Sequence, residues 1–248
     1  MSAKAVLRLP AAALLGPGPT PLLARLGDHL ALHVEGVLTR RECALYARGV
    51  YAGRSVWVPN FDGVQFTLGR AFYAHLETDR EDEYFAGVAA SDAAVERFVP
   101  GLADRLLALM RLCVGAEVAR RPGYCGPGVH VFPAGEYVSH HGGDVHWDLE
   151  GLTEEEVSAR AEALTAVLML QPAAQGGGLR VWDKCHEGDD SEEAPGSAES
   201  REIVYGAGDL VILDSYRLHQ ICASSGPLDR ISATAHAVRA EDGWQAWF

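Results

Sequence analysis

The chain has 248 residues, 48% of them apolar and 22% charged, which is ample material for one sizeable core and too much for wholesale disorder. Its formal charge is −13, from 34 acidic against 21 basic side chains, and the longest basic clusters are the pairs Arg40-Arg41 and Arg120-Arg121, so a nucleic-acid partner is disfavoured. No run of about 18 apolar residues is present to cross a bilayer. The five cysteines, Cys43, Cys113, Cys125, Cys185 and Cys222, include no Cys-x-x-Cys pair, which fits a reducing cytoplasm better than a disulfide framework.

In chain order, residues 1–30 mix Pro, Gly and Ala and read as an extended lead-in. Lys4 and Arg8 precede the short apolar run Ala11 to Leu15, but Pro10, Pro17, Pro19 and Pro21 hem it in and no small-residue cleavage site follows, which disfavours a secretory leader. Apolar residues at helical spacing predict a helix from Thr39, as N-cap, to about Tyr51, and a longer one from Asp92 to about Ala116. After Pro122 the texture becomes short, apolar and β-prone: Val129 to Phe132, Ala166 to Leu170, Leu179 to Trp182, Ile203 to Tyr205, Leu210 to Leu213 and Ile231 to Val238, separated by turns such as Pro133-Ala-Gly and Gly206-Ala-Gly-Asp. Leu152 to Leu164 reads as a helix with an acidic first turn, and residues 187–200 as a mobile acidic loop. The expectation is a single domain over 1–248, with a helical and extended part over 1–122 and a β core over 123–248. Short strands of this kind suit a sandwich or barrel, and a jelly roll closes such strands around a central cavity.

The stretch His140-His-Gly-Gly-Asp-Val-His146-Trp-Asp148 concentrates imidazoles and carboxylates. In an extended segment, residues two apart share a face, so His146 and Asp148 can reach one ion while Trp147 points away. Two imidazoles and one carboxylate on one face of an octahedral ion leave positions open for co-substrate and oxygen. The third ligand is expected at His219, after the run Gly208-Asp-Leu-Val-Ile-Leu. Eleven residues on, Arg230 and Ser232 share a strand face, and a guanidinium fork beside a hydroxyl suits a carboxylate.

His146-x-Asp148, His219 and Arg230-x-Ser232, in that order, resemble the HxD…H plus RxS pattern of the iron(II)/2-oxoglutarate-dependent oxygenases. Gly177-Gly-Leu-Arg-Val-Trp182 resembles the glycine-led strand between the two ligand segments, so the resemblance covers roughly residues 125–240. It implies a mainly β, double-stranded β-helix (a cupin-like jelly roll) with a helical N-terminal preface. It further implies Fe(II) held by His146, Asp148 and His219, 2-oxoglutarate and O2 as co-substrates, and Arg230 and Ser232 on the far carboxylate of the keto acid. The implied activity is that of a dioxygenase hydroxylating an unactivated C–H bond, with release of succinate and CO2. Asp148 disfavours halogenation, because related halogenases carry a small residue in its place.

For substrate, the acidic chain without a basic groove favours a small molecule or amino-acid-like compound, with a peptide or protein side chain as the alternative. His130, Tyr137 and Trp182 are the candidate substrate contacts. His140 and His141 begin no His-x-Asp or His-x-Glu and are assigned to the surroundings of the site or to the surface, and His186, at the head of the acidic loop, is expected to be exposed. Two other classes compete: a cupin-like metalloenzyme that needs no keto acid, and a non-catalytic sensor or binding module. Arg230-x-Ser232 argues against the first and the complete ligand set against the second.

Overall fold

The computed structural model describes residues 4–14, 22–188 and 194–248. The first part runs β1 (Ala5–Pro10), α1 (Leu23–Leu26), β2 (His29–Glu35), α2 (Arg40–Ala52), β3 (Val58–Asn60), β4 (Gln65–Leu68), α3 (Phe72–Leu76), α4 (Glu81–Ala86), α5 (Val88–Phe98) and α6 (Leu102–Val114). β5 (Val118–Arg120), β6 (Gly128–Phe132), α7 (Tyr137–His141), α8 (Glu154–Ser158), β7 (Ala163–Gln171), β8 (Gln175–Gly176) and β9 (Leu179–Cys185) follow. The chain ends with β10 (Ser200–Ile203), β11 (Leu210–Asp214), β12 (Arg217–Ile221), β13 (Ser224–Ser225), β14 (Arg230–Ala240) and β15 (Gly243–Trp247). No helix among the described residues is long and apolar enough to cross a membrane.

A large sheet in the order β1-β2-β11-β7-β14-β6-β4-β3 faces a small one, β10-β9-β12, in a jelly roll. Alternation along the central strands separates the two faces of the large sheet. Leu164, Ala166 and Leu168 of β7 and Ile231, Ala233 and Ala235 of β14 join the main core cluster, with Ala47 and Val50 of α2 and Leu106 and Met110 of α6. Their neighbours Thr165, Val167, Arg230, Ser232, Thr234 and His236 point the other way, into a cavity of about 510 Å3 that Leu179, His219 and Ile221 close from the small sheet. The helices thus cover the outside of the large sheet, and β14 buries a row of polar side chains inside it.

Several strands absent from the sequence reading come from the first 122 residues, and β15 adds another at the C-terminal end. β2 pairs with β11, and β4 pairs with β6, so the expected preface also builds the sheet. Thr39 caps α2 as expected, in a reciprocal capping box with Glu42, a device worth about 1 kcal/mol. The expected helix from Asp92 to about Ala116 is two helices. Val99 precedes Pro100, which disfavours helical backbone at Val99, and Gly101 adopts φ 73° before α6 starts. Leu152 to Leu164 is helical only over Glu154–Ser158; Arg160 turns the chain at φ 52°, and Ala163 and Leu164 pair with Val238 and Ala237. Of the expected acidic loop 187–200, residues 189–193 lie outside the described residues, and Ser200 opens β10, which ends at Ile203 rather than Tyr205.

The turn into β11 needs Gly208, which sits at φ 91° where a Cβ would overlap the Leu38 carbonyl oxygen. Gly208→Ala is expected to destabilise the protein by about 2 kcal/mol or more, through left-handed strain plus the clash, read as a lower midpoint in urea unfolding.

Candidate metal centre

His146 lies in an extended segment that follows α7, and it forms a single antiparallel bridge with His219 of β12. The two residues exchange both backbone bonds, each N–H to the other's carbonyl at 3.0 Å. A pair of this kind puts its side chains on one face of the ladder, and the imidazole centroids are 4.3 Å apart. Asp148, two residues on, is anchored by its own N–H to the Ser215 carbonyl at 2.9 Å. The ligand atoms of His146, Asp148 and His219 all lie within 4.8 Å of one another.

Both rings are tied in the same way. His146 Nδ1 donates to the Asp144 carbonyl at 2.8 Å and His219 Nδ1 to the Arg217 carbonyl at 2.9 Å. Because a carbonyl only accepts, each Nδ1 carries a proton, and a neutral ring then presents the Nε2 lone pair. Those lone pairs face a carboxylate, with His146 Nε2 at 3.5 Å and His219 Nε2 at 3.2 Å from the Asp148 oxygens. Acceptors gathered this closely are at rest only with a cation or a proton among them. Burial alone would raise Asp148, but the surrounding imidazoles of His219, His236 and His146 outweigh it and hold the carboxyl well below the usual range. Burial opposes charge on His146, and its contact with Asp148 still lifts it to about 9. The donor set suits a borderline divalent ion.

A buried network holds the carboxylate. Thr165 Oγ donates to Asp148 at 2.5 Å, with Ser215 Oγ at 3.0 Å and His236 Nδ1 at 3.2 Å from the same hydroxyl. The single Thr165 proton is spent on Asp148, so His236 Nδ1 is the donor in its bond. Burial, above all, lowers His236 as a base.

Arg230 is only 3% exposed. Its Nε donates to the Gly177 carbonyl at 2.9 Å, Nη1 to Ser232 Oγ at 3.1 Å and Nη2 to Tyr205 Oη at 2.5 Å, and the rings of Phe132 and Tyr205 flank it. Those bonds leave two of the five guanidinium N–H groups without an acceptor among the described residues. No carboxylate among the described residues pairs with it. A buried guanidinium without a counter-ion is costly, and this one lines the cavity with Ser232.

The sequence-derived candidates thus divide. His146, Asp148 and His219 converge, and Arg230 and Ser232 line the same cavity, as do His130 and Tyr137. His130 is buried, with Nδ1 lacking a partner, and burial depresses it to about 3, leaving a neutral imidazole. Tyr137 is 57% exposed at the cavity edge. Trp182 is a correction. One step from the His219-paired Val181 on β9, it faces outward and packs with Trp147 and Leu218 instead of lining the cavity. His140 and His141 are exposed on α7 and off the cavity, whereas His186 is half-buried against the Trp147 ring.

Sequence reasoning missed Thr165, His236, Tyr205 and the cavity carboxylates Glu77 and Glu150. Burial, then the Asp148 charge, pushes Glu150 up to about 7. The signal for Thr234 and His236 was available: Arg230, Ser232, Thr234 and His236 alternate with apolar residues, so one inward member implies the rest. Tyr205 and Glu77 carry no local signal.

No family model and no curated protein matches the sequence. Solved structures do match. The chain resembles an N-substituted L-amino acid dioxygenase from Burkholderia ambifaria AMMD at TM-score 0.56 and 16% identity, over 96% of this chain and 91% of that one. That enzyme has also been solved in complex with alpha-ketoglutarate, and this form matches at TM-score 0.57 and 15% identity, again over 96% and 91% of the two chains. The fold is the one these two dioxygenase structures share. It is shared as well with the alpha-ketoglutarate-dependent epimerase SnoN from nogalamycin biosynthesis, at TM-score 0.53 and 18% identity over 92% of this chain and 86% of that one. SnoK, a carbocyclase of the same biosynthesis, matches at TM-score 0.52 and 15% identity over 93% of this chain and 100% of that one.

Thr165→Val removes the short bond to Asp148 while keeping the side chain's shape. Metal affinity is expected to fall about 10-fold or more, the usual cost of losing a partner that orients a ligand. Calorimetric titration with Mn(II) reads this, and an unchanged affinity would remove Thr165 from the site.

Proposed function

We propose that the protein is an iron(II)- and 2-oxoglutarate-dependent oxygenase that acts on a C–H bond of a small, amino-acid-like molecule. The observation that carries this reading is the pairing, in one cavity, of a His-Asp-His ligand set with a buried arginine that has no carboxylate partner among the described residues. A metal-only enzyme needs the first of these and gains nothing from the cost of the second.

Each group has a defined task. His146 and His219 present Nε2 to the ion because their Nδ1 protons are committed to backbone carbonyls. Asp148 adds the negative charge, held in orientation by Thr165. Arg230 and Ser232 grip the far carboxylate of the keto acid, and Tyr205 fixes the guanidinium plane from behind. The ion, the keto acid and dioxygen together supply an oxidant for unactivated C–H bonds, with succinate and CO2 as by-products. The protein's part is to orient the target bond and exclude water within a walled cavity.

Hydroxylation is the outcome we assign. The solved neighbours include an epimerase and a carbocyclase beside a dioxygenase, so the outcome follows the substrate's position and not the fold. The dimensions of the cavity favour a small molecule over a folded protein, and a peptide side chain is the second choice.

Separate variants test the two halves. Asp148→Ala is expected to abolish metal binding while the protein still unfolds cooperatively. Arg230→Ala is expected to bind Mn(II) normally and to weaken 2-oxoglutarate about 100-fold, the scale of a lost bidentate, charge-assisted contact. Equal 2-oxoglutarate affinity in Arg230→Ala and the parent would leave a cupin-like metalloenzyme as the better reading.

A further inference from the structure

His236 closes the inward polar row of β14, and in the reading above it is neither a metal ligand nor a keto-acid contact. The register of the large sheet sets it in a line of three. Trp247 of β15 lies opposite it on one side and Thr165 of β7 on the other, and residues opposite one another on neighbouring strands share a face and touch. The Trp247 and His236 rings are 5.9 Å apart at 34°, and His236 Nδ1 lies 3.2 Å from the Thr165 hydroxyl. Trp247 is itself held, because its Nε1 donates at 3.1 Å to the carbonyl of Glu150, two residues beyond Asp148.

A hydroxyl has one proton and two lone pairs. Thr165 gives its proton to Asp148 Oδ2 at 2.5 Å, so its other two neighbours, Ser215 Oγ at 3.0 Å and His236 Nδ1 at 3.2 Å, must both be donors. Every valence of the Thr165 oxygen is then used. Asp148, Thr165, Ser215 and His236 are all buried, and in such surroundings donors that feed one another strengthen the last bond of the chain. Here the last bond is the one on the carboxylate.

We propose that His236 is a positioning residue for the metal: by donating its Nδ1 proton to Thr165, it commits the Thr165 proton to Asp148 and fixes the carboxylate of the ligand set. The inference rests on the metal half of the reading above and needs no keto acid.

Two replacements separate this role from packing. Asparagine is smaller than histidine and places an amide N–H where Nδ1 stood; glutamine is nearer in size and places its amide where Nε2 stood. Mn(II) is titrated calorimetrically into the full-length protein, with urea unfolding of each variant as the check on folding. Affinity is expected to fall about 10-fold in His236→Gln and His236→Leu, the scale of losing a partner that orients a ligand, and to stay within about 3-fold of the parent in His236→Asn. That ranking runs against side-chain size, so filling of space does not produce it. In a Thr165→Val background His236→Leu is expected to cost nothing further, because the two residues act as one chain. Equal losses in the Asn and Gln variants, no loss in the Leu variant, or losses that add to that of Thr165→Val would overturn the proposal, and the Asn and Gln comparison stands even where the Leu variant does not fold. A parent protein that binds no Mn(II) would defeat the metal reading itself and this proposal with it, whereas a parent that binds Mn(II) with no effect at His236 defeats this proposal alone.

Discussion

The reciprocal backbone pair between His146 and His219 is the constraint on which the site depends. Two hydrogen bonds at 3.0 Å fix the segment after α7 against β12 and set two imidazoles side by side. Each imidazole is then turned by a bond from Nδ1 to the carbonyl two residues earlier, so one local arrangement is used twice. Register matters because a slip by one residue would send both rings to the opposite face. The neighbouring irregularity between Arg217 and His219 in the pairing of β12 with β9 belongs to the same device, since bulges beside active sites redirect side chains.

The second constraint is the inward face of β14. A central strand with helices behind it has every reason to be apolar, and its outward residues Ile231, Ala233 and Ala235 are. Its inward residues Arg230, Ser232, Thr234 and His236 are polar and buried. Three of its four members are bonded: Arg230 to Gly177, Ser232 and Tyr205, and His236 to Thr165. Arg230, with two guanidinium N–H groups that have no acceptor among the described residues, and His146 and His219, whose Nε2 atoms approach Asp148, line the same cavity.

Much of the site was legible because its ligands lie within two short stretches and obey strand alternation. His146 and Asp148 are two apart, and Arg230 and Ser232 are two apart, so period-2 geometry alone groups them. Trp182 misled because its neighbourhood is glycine-led and aromatic, and only the register of β9 against β12 shows that it faces outward. Glu77 was beyond reach, for it arrives at the C-terminal end of α3, some 70 residues upstream of the first candidate ligand, through contacts that no local pattern encodes. The strands β2 and β4 were missed for a related reason. They are short, and their place in the large sheet is set by partners far along the chain, while Pro100 and Arg160 cut helices that apolar spacing alone would have continued.

The central claim is that one cavity holds a metal ion and a 2-oxo acid together. Anaerobic titration of the purified protein with iron(II) and then 2-oxoglutarate tests it most directly, by the weak visible charge-transfer absorption that arises when a 2-oxo acid chelates the ion. The account expects that absorption to appear only when both are present and to saturate at one equivalent of each. Iron bound without any such absorption at saturating 2-oxoglutarate would contradict it.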